Sequence, residues 1–184
     1  MWTGSYRFRV ISDFETVMTP RLDLRAVQDV DTDDLFVISS DPRTWVHAPS
    51  GRHESVQTTR DWIARAREFW AEDGLSYWLV RLRQSDEVVG VGGVQRQTSG
   101  NWNLHYRFAP SSWGHGFATE LGVAALEAAH SRDGDAAVVA WVQSDNVPSL
   151  RVAERLGMTN LGPHVDPSDG LTRLAFTDRF IELA

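Results

Sequence analysis

One short stretch has the composition of an anion-binding loop: Trp113-Gly114-His115-Gly116-Phe117-Ala118. It follows a strand-like run, Trp102 to Phe108, that stops at Pro110, and it precedes a helix pattern that begins near Thr119. In such a strand–loop–helix unit, successive backbone N–H groups and the positive end of the helix dipole point at one place, where they bind anions. Glycines also let a ligand approach the main chain. The stretch predicts a cradle for a pyrophosphate, although glycines that only turn the chain would give the same pattern.

Two common nucleotide motifs do not describe this loop. No Lys-Ser or Lys-Thr pair follows the last glycine, so it is not a Walker A loop. The spacing also differs from the G-x-G-x-x-G that opens a dinucleotide-binding unit.

A second motif lies further along the chain, from Asn146 to Met158. Asn146 is a good N-cap, Pro148 is tolerated in a first helical turn, and Gly157 ends the helix. Taken alone, the segment is better explained as an ordinary capped helix.

Together and in this order, the two motifs resemble those of the GCN5-related N-acetyltransferase (GNAT) family, written Q/R-x-x-G-x-G/A and N-x-x-S-x-R-x-x-E-k-l-G-F. Gly116 and Ala118 fall on the central glycine and the last small position of the first motif, and Trp113 stands where Gln or Arg is usual. This Trp-Gly pair, with the run T-P-R-L-x-L-R at residues 19–25, resembles the branch that acetylates ribosomal-protein N-termini. The resemblance covers the chain from about Thr19 onward.

The resemblance implies that acetyl-CoA is the co-substrate. Backbone N–H groups near Phe108 would stabilise the oxyanion, Asn146 would bond the pantetheine amide, and Arg151 would reach the phosphates. The cofactor-binding residues implied in this way are Phe108, Trp113, Gly114, His115, Gly116, Phe117, Ala118, Thr119, Asn146, Ser149 and Arg151.

The candidate base is not at the family's usual place. Many relatives have Glu three residues before an aromatic of this strand, where this chain has Asn103, whose amide cannot take a proton. His105 lies on the same face by period-two alternation, and an imidazole has suitable acidity. A histidine that faces solvent or is satisfied in the core would give the same pattern. His47 and His53 are weaker candidates, and a water relay to a distant carboxylate is a further alternative.

The candidate acid also differs from many relatives, which have a Tyr where this chain has Ala153. The branch that acts on terminal amines instead uses the Ser of N-x-x-S, which is Ser149 here. A Ser at this helical position equally often bonds the local backbone. The predicted catalytic residues are therefore Ser149, His105 and Asn103.

The elements that position these residues form an α/β fold of the GNAT-like acyl-CoA N-acyltransferase type, with a central mixed (α+β) sheet and helices on both faces. Apolar alternation predicts strands over 76–82, 87–95 and 101–108, as an antiparallel meander. A strand over 136–142, reached through a helix, is expected to run parallel to the preceding one. In the family these two parallel strands diverge like a V that takes the pantetheine arm, which the resemblance alone implies.

Composition sets the class of protein. The 184 residues predict one domain over 1–184, in which residues 1–18 form an extra strand or an arm. The absence of cysteine excludes disulfides and thiolate catalysis, and we expect no metal. The sequence has neither a membrane-length apolar run nor a secretory signal, which is compatible with the cytoplasm. A net charge of −7 argues against a nucleic-acid partner.

These observations predict an N-acetyltransferase that moves an acetyl group from acetyl-CoA to a primary amine, either a protein N-terminus or a small-molecule amine. Two alternatives remain open at this point. One is a non-catalytic acyl-CoA-binding sensor or assembly module, since the usual Glu and Tyr are missing. The other is a transferase that uses a larger acyl-CoA such as succinyl-CoA. Homodimers are common in the family, so a homodimer is a possible assembly.

Overall fold

The computed structural model of the chain describes residues 9–12 and 14–183. Within this part, strands and helices follow one another as the sequence predicts. The strands are β1 (Arg9–Ser12), β2 (Thr16–Met18), β3 (Leu22–Ala26), β4 (Tyr77–Leu82), β5 (Val88–Arg96), β6 (Trp102–Phe108), β7 (Val138–Val142), β8 (Thr159–Val165) and β9 (Thr172–Thr177). The α-helices are α1 (Thr32–Ser40), α2 (Val56–Asp73), α3 (Phe117–Arg132) and α4 (Val147–Arg155). Single 3₁₀ turns lie at Asp29–Asp31, Pro42–Trp45, Pro49–Gly51 and Pro110–Ser112.

The strands join one sheet in the order β1-β2-β3-β4-β5-β6-β7-β9-β8. Strands β1 to β6 form an antiparallel meander. Strand β7 is reached through α3 and runs parallel to β6, whereas β9 and β8 are again antiparallel. The mixed sheet is confirmed. Residues 1–8 and 13 lie outside the described part, and the assignment of 1–184 to one domain stays a prediction.

Strands β6 and β7 pair only at their first residues. The two bridges join Trp102 with Val138 and Asn103 with Val139. Beyond these bridges β6 remains paired with β5 to its last residue, and β7 remains paired with β9. A wedge therefore opens between the second halves of β6 and β7. We call this wedge the gap, and it matches the V that the family resemblance implies.

Helices cover both faces of the sheet. On the α3–α4 face, alternate β6 residues such as Leu104 and Phe108 pack into the larger core with the small residues of α3. On the α1–α2 face, Tyr77 and Val91 pack with Ile63 of α2 in a second cluster. Burial of these apolar side chains supplies the main driving force for folding. No helix in the described residues is both long enough and apolar enough to cross a bilayer.

One predicted helix boundary needs correction. Helix α3 begins at Phe117 rather than near Thr119, so Phe117 and Ala118 belong to its first turn. Asp31 precedes α1 but makes no side-chain cap, because its carboxylate instead accepts hydrogen bonds from the Arg25 side chain and the Gln28 N–H. The predicted N-cap of α4 is confirmed.

Candidate active site

The loop after β6 turns twice through backbone conformations that favour glycine. Gly114 has φ of +80° and Gly116 has φ of +79°. Gly116 is the N-cap of α3, and the first helical hydrogen bond runs from the Glu120 N–H to its carbonyl oxygen. L-residues with a Cβ are strained in this left-handed region, so these positions select glycine. The sequence prediction of a turn that leads directly into a helix is confirmed.

The backbone N–H groups of residues 114–119 make no hydrogen bond to any described residue. The two amides before them are used, since Ser112 and Trp113 donate to Ala109 and Pro110 carbonyls. Six consecutive donors at a helix N-terminus are therefore available to an external acceptor, where the helix dipole adds positive potential. This is the arrangement that a pyrophosphate requires.

A buried carboxylate fixes the loop from below. The Glu120 side chain is fully buried in the first turns of α3. It accepts hydrogen bonds from the Thr19 hydroxyl at 2.6 Å, from the Arg21 N–H at 2.8 Å and from Arg21 Nε at 2.6 Å. A buried charge is tolerated only when it is paired and hydrogen-bonded. These hydrogen bonds hold the residues just before β3 against the first turns of α3.

Arg21 also contacts the loop itself. Its Nη1 donates to the His115 carbonyl at 2.8 Å, and its guanidinium carbon lies 4.9 Å from the centre of the Phe117 ring. The His115 and Phe117 rings stack at 5.5 Å. Trp113, which replaces the usual Gln or Arg, donates from its indole Nε1 to the Phe108 carbonyl at 2.9 Å. Arg21 therefore brings a cation to a loop whose own motif lacks one.

The loop fits the diphosphate of a CoA molecule on two further observations. A Cβ on Gly114 would meet nothing within 4 Å, so the approach to the backbone is open. The Thr119 hydroxyl is buried and has no hydrogen-bond partner among the described residues. Buried polar atoms without a partner are rare and call for a ligand or an ordered water.

The edge of β6 that faces the gap offers two more N–H donors. The Trp102 N–H points towards β7, because it donates to the Ala137 carbonyl, and the Ala109 N–H points the other way, to Val89. Since hydrogen-bonding directions alternate along a strand, the N–H groups of Tyr106 and Phe108 point into the gap. The predicted position of the oxyanion donors near Phe108 is compatible with this geometry and stays a prediction.

Tyr106 and Ser149 meet on the α3–α4 face, across the gap. The Tyr106 ring packs against the larger core, and burial raises the pKa of its hydroxyl to about 12, an effect that the neighbouring Ser149 hydroxyl opposes. Tyr106 also remains partly exposed to solvent. Strong desolvation with residual exposure is expected for a group on the wall of a narrow recess.

The other predicted residues of α4 take different positions. The Asn146 side-chain oxygen accepts from the Ser149 N–H at 3.2 Å, so Asn146 caps the helix and leaves only its amide NH₂ for a ligand. Arg151 is exposed and makes no ion pair with a described residue. Asn103 lies at the closed end of the gap, where β6 and β7 still pair.

His105 lies on the opposite face of β6, among aromatic rings. Its ring centre is 5.3 Å from that of Tyr77, which in turn stacks on Trp62 at 5.1 Å. The buried His53 ring lies 6.1 Å from Trp62 and 6.0 Å from Trp45. These rings, with Arg107, define what we call the acceptor-side recess. Trp62 also packs against the second core cluster, that of Ile63 and Tyr77, as the helical spacing of the α2 aromatics predicts.

The protonation of His105 follows from this environment. Burial, reinforced by the positive charge of Arg107, lowers the pKa of His105 to about 3. The same two causes lower the pKa of His53. Both imidazoles are therefore neutral at pH 7. His105 has a free lone pair for an incoming N–H group but holds a proton only weakly. Its role as base stays a prediction.

The segment between α1 and α2 crosses the sheet at the gap. His47, from this segment, places Nδ1 at 3.2 Å from the Asp145 carboxylate, in the loop after β7. Arg107 Nη1 donates to the Thr44 carbonyl from β6. The segment thus contacts both sides of the gap. Of His47 and His53, only His53 lies at the acceptor-side recess near His105. His47 contacts Asp145 instead.

Two open hollows lie outside the gap. The larger, about 500 Å³, is lined by residues such as Gln28, Arg67 and Trp70 and contains none of the predicted site residues. The second, about 430 Å³, lies between the end of α1 and residues 109–111, just before the cradle. Since neither hollow contains the free amides, the hydrogen-bonding geometry of the loop identifies the site better than hollow size.

Comparison with known proteins agrees with this geometry. The family model described as "Acetyltransferase (GNAT) domain" matches residues 21–159, well over half of the chain. The chain belongs to the GNAT acetyltransferase family. This GNAT protein is 30% identical to the uncharacterized protein YkkB of Bacillus subtilis (strain 168), over 77% of the chain and 84% of that protein.

Solved structures show the same GNAT fold. An acetyltransferase from Agrobacterium tumefaciens str. C58 superposes with a TM-score of 0.75 at 24% identity, covering 95% of this chain and 99% of that one. RimL, a ribosomal L7/L12 alpha-N-protein acetyltransferase solved with CoA, superposes with a TM-score of 0.68 at 20% identity, covering 86% and 92% of the two chains. The predicted family and the prediction of an acetyltransferase are confirmed.

Several residues of this GNAT site were not found from the sequence. The sequence could have indicated that Glu120 is buried, because it is a charged residue directly beside the apolar stripe that begins at Leu121. Arg21 belongs to the T-P-R-L-x-L-R run, which indicates a strand and no contact with the loop. Tyr106 and Arg107 have no spacing that distinguishes them from other residues of the same strand.

We expect Gly116→Val to weaken acetyl-CoA binding at least tenfold, because it strains the N-cap and places a branched side chain at the cradle. Gly100→Val is the matched control, since Gly100 has φ of +86°, open surroundings and a position in a distant hairpin turn. Both variants should lose roughly 1–2 kcal/mol of stability from left-handed strain. Calorimetric titration with acetyl-CoA should separate them, and equal affinities would contradict the cradle.

Stability should fall as the pH is lowered from 6.5 towards 4.5. In this window the unfolded chain protonates His105, whereas the folded chain, in which the pKa of His105 is lowered to about 3, does not; the lowered pKa of His53 acts in the same direction. Where only the unfolded chain binds a proton, the free energy of unfolding falls by about 1.4 kcal/mol for each unit that the pH is lowered. Urea unfolding at several pH values should show this slope. His105→Gln should reduce it, and an unchanged slope would show that His105 protonates freely in the folded protein.

Proposed function

We propose that this protein transfers an acetyl group from acetyl-CoA directly to a primary amine within a ternary complex. The single observation that carries the proposal is the row of free amides at residues 114–119, placed at the open end of the gap between β6 and β7. A diphosphate bound there lies beside a slot that leads to Tyr106 and Ser149 on one face and His105 on the other.

The chain's own residues would hold CoA in three ways. The amides of the loop and the Thr119 hydroxyl would bind the diphosphate, with the Arg21 guanidinium adding positive charge. The gap would receive the pantetheine arm. The Asn146 NH₂ group, which the cap leaves unused, would bond one of its amides. RimL was solved with CoA, which supports this assignment of the family's ligand.

When bound, acetyl-CoA supplies a thioester whose carbonyl carbon accepts the amine. The N–H groups of Tyr106 and Phe108 point into the gap and would stabilise the negative charge that develops on the carbonyl oxygen. The Ser149 hydroxyl, paired with that of Tyr106, would donate a proton or hydrogen bond to the departing sulfur. Tyr106 stays protonated over the physiological range, because burial raises the pKa of its hydroxyl to about 12.

The amine would approach from the acceptor-side recess. The neutral His105 ring can accept a hydrogen bond from the amine and so orient its lone pair. Because the pKa of His105 is about 3, a proton taken from the amine would pass on to water, to which the partly exposed ring has access. RimL acts on a protein α-amine, so an α-amine is the first acceptor to test. A cytoplasmic location and a homodimer are further proposals from the family resemblance.

The test is release of free CoA thiol from acetyl-CoA with a panel of amines: dipeptides, N-terminal peptides and small polyamines. Direct transfer predicts intersecting double-reciprocal lines and no thiol release without an amine. Parallel succinyl-CoA reactions identify the acyl group, and faster turnover with succinyl-CoA would reassign the donor. Tight acetyl-CoA binding without turnover on any amine would instead indicate a non-catalytic sensor.

Ser149→Ala should lower kcat roughly 100-fold or more, the usual range for loss of a proton donor being about 10²- to 10⁴-fold, while acetyl-CoA affinity changes little. The matched control is Ser131→Ala, an exposed serine near the end of α3. Tyr106→Phe should lower kcat in the same direction, since it removes the partner of Ser149. Normal turnover of Ser149→Ala would leave Ser149 with only a structural role in α4.

A further inference from the structure

Arg107 is an unusual cation within the site. It lies on β6, two residues after His105, on the α1–α2 face of the sheet. Its guanidinium carbon sits 3.2 Å from the centre of the Trp45 ring, and its Nη1 donates to the Thr44 carbonyl. A guanidinium carries five N–H donors in a fixed fork. One bond to a carbonyl leaves most of that fork available.

No carboxylate of the described residues pairs with Arg107. Burial lowers its pKa to about 10, with no neighbouring anion acting in the opposite direction. Arg21 and Arg173 differ in this respect, since each binds a buried carboxylate. A desolvated charge without a counter-ion is costly and marks a functional site more often than a structural one.

The neighbours of Arg107 also favour an anion. His53 and His105 are neutral, so they neither repel nor replace a bound anion. Nδ1 of His53 is already paired with the Thr59 hydroxyl, which leaves its Nε2 and the His105 ring to add a hydrogen bond. Trp45 covers one face of the guanidinium, and the rings of Trp62 and Tyr77 stack beside the two histidines. The recess is thus locally cationic in a chain whose net charge is −7.

We propose that the acceptor is an amine that also carries an anionic group, a carboxylate or a phosphate, and that Arg107 binds this group in the acceptor-side recess. The inference rests on the proposed function, because it names the acceptor class of the same site. Arg107 would form the paired hydrogen bonds that guanidinium groups make with carboxylate and phosphate. Strand spacing places Arg107 roughly 6–7 Å from His105 along β6, so the anionic group lies within one or two residues of the reacting amine.

A purely structural role for Arg107 predicts a different result. If Arg107 only holds the segment 42–45 in place, its loss would impair all acceptors alike. If it binds the acceptor's anionic group, its loss impairs charged acceptors selectively. The ratio between a charged acceptor and its neutral counterpart therefore separates the two roles, even when the variant is less stable.

The experiment uses two pairs of acceptors that differ in charge. Diglycine is compared with diglycine amide for the carboxylate, and phosphoethanolamine with ethanolamine for the phosphate. Binding to the CoA-saturated protein is measured by calorimetry, and kcat/KM by thiol release. The variants are Arg107→Gln and Arg107→Lys, with Arg65→Gln on the exposed surface of α2 as a control of equal charge change.

We expect the wild-type protein to prefer at least one charged acceptor tenfold or more over its neutral partner. Arg107→Gln should abolish that preference, Arg107→Lys should keep part of it, and Arg65→Gln should keep all of it. The pair that shows the preference identifies carboxylate or phosphate. Equal binding and turnover within both pairs, or a preference that survives Arg107→Gln, overturns the inference. Transfer to neutral amines alone would overturn it while upholding the acetyltransferase, whereas charge-dependent binding without transfer would uphold it and refute the proposed catalysis.

Discussion

Backbone N–H groups that the protein's own carbonyls do not satisfy are the constraint on which this site depends. They occur at two adjoining places, in the loop at residues 114–119 and along the edge of β6 that faces the gap. Folded chains pair nearly all such groups, so a concentration of free donors beside an open slot requires either water or a ligand. A long ligand with a diphosphate at one end and a carbonyl at the other satisfies both places at once.

The side chains of β6 alternate between the two faces of the sheet, so this strand contributes residues to both faces. Tyr106 points to the α3–α4 face, where it meets Ser149, and His105 and Arg107 point to the α1–α2 face. The groups that we propose for the leaving thiol and those that we propose for the incoming amine thereby lie on opposite sides of one sheet. The divergence of β6 from β7 is what connects the two faces, since a continuous ladder of hydrogen bonds would close the passage.

The sequence was most informative where structure is local. The cradle glycines, the capped helix α4 and the limits of β6 depend on neighbouring residues, and they lie where the patterns predicted them. The partners of Glu120 are about a hundred residues away in the chain, so spacing could not reveal them. The pKa of His105 depends on burial and on Arg107, which only the assembled sheet provides. The divergence of β6 from β7 produces no periodic pattern in the sequence, and only the family resemblance implied it.

The hydrogen bonds between Glu120 and residues 19–21 limit where this protein can be truncated. The match to the family model begins at residue 21, which cuts between Thr19 and Arg21. A fragment trimmed to that boundary would lose one of the donors to a fully buried carboxylate and would expose the other at a free chain end. The minimal unit that can assemble the phosphate loop therefore extends upstream of the homologous segment, and recombining such segments between relatives requires exchanging the opening strand together with the distant helix.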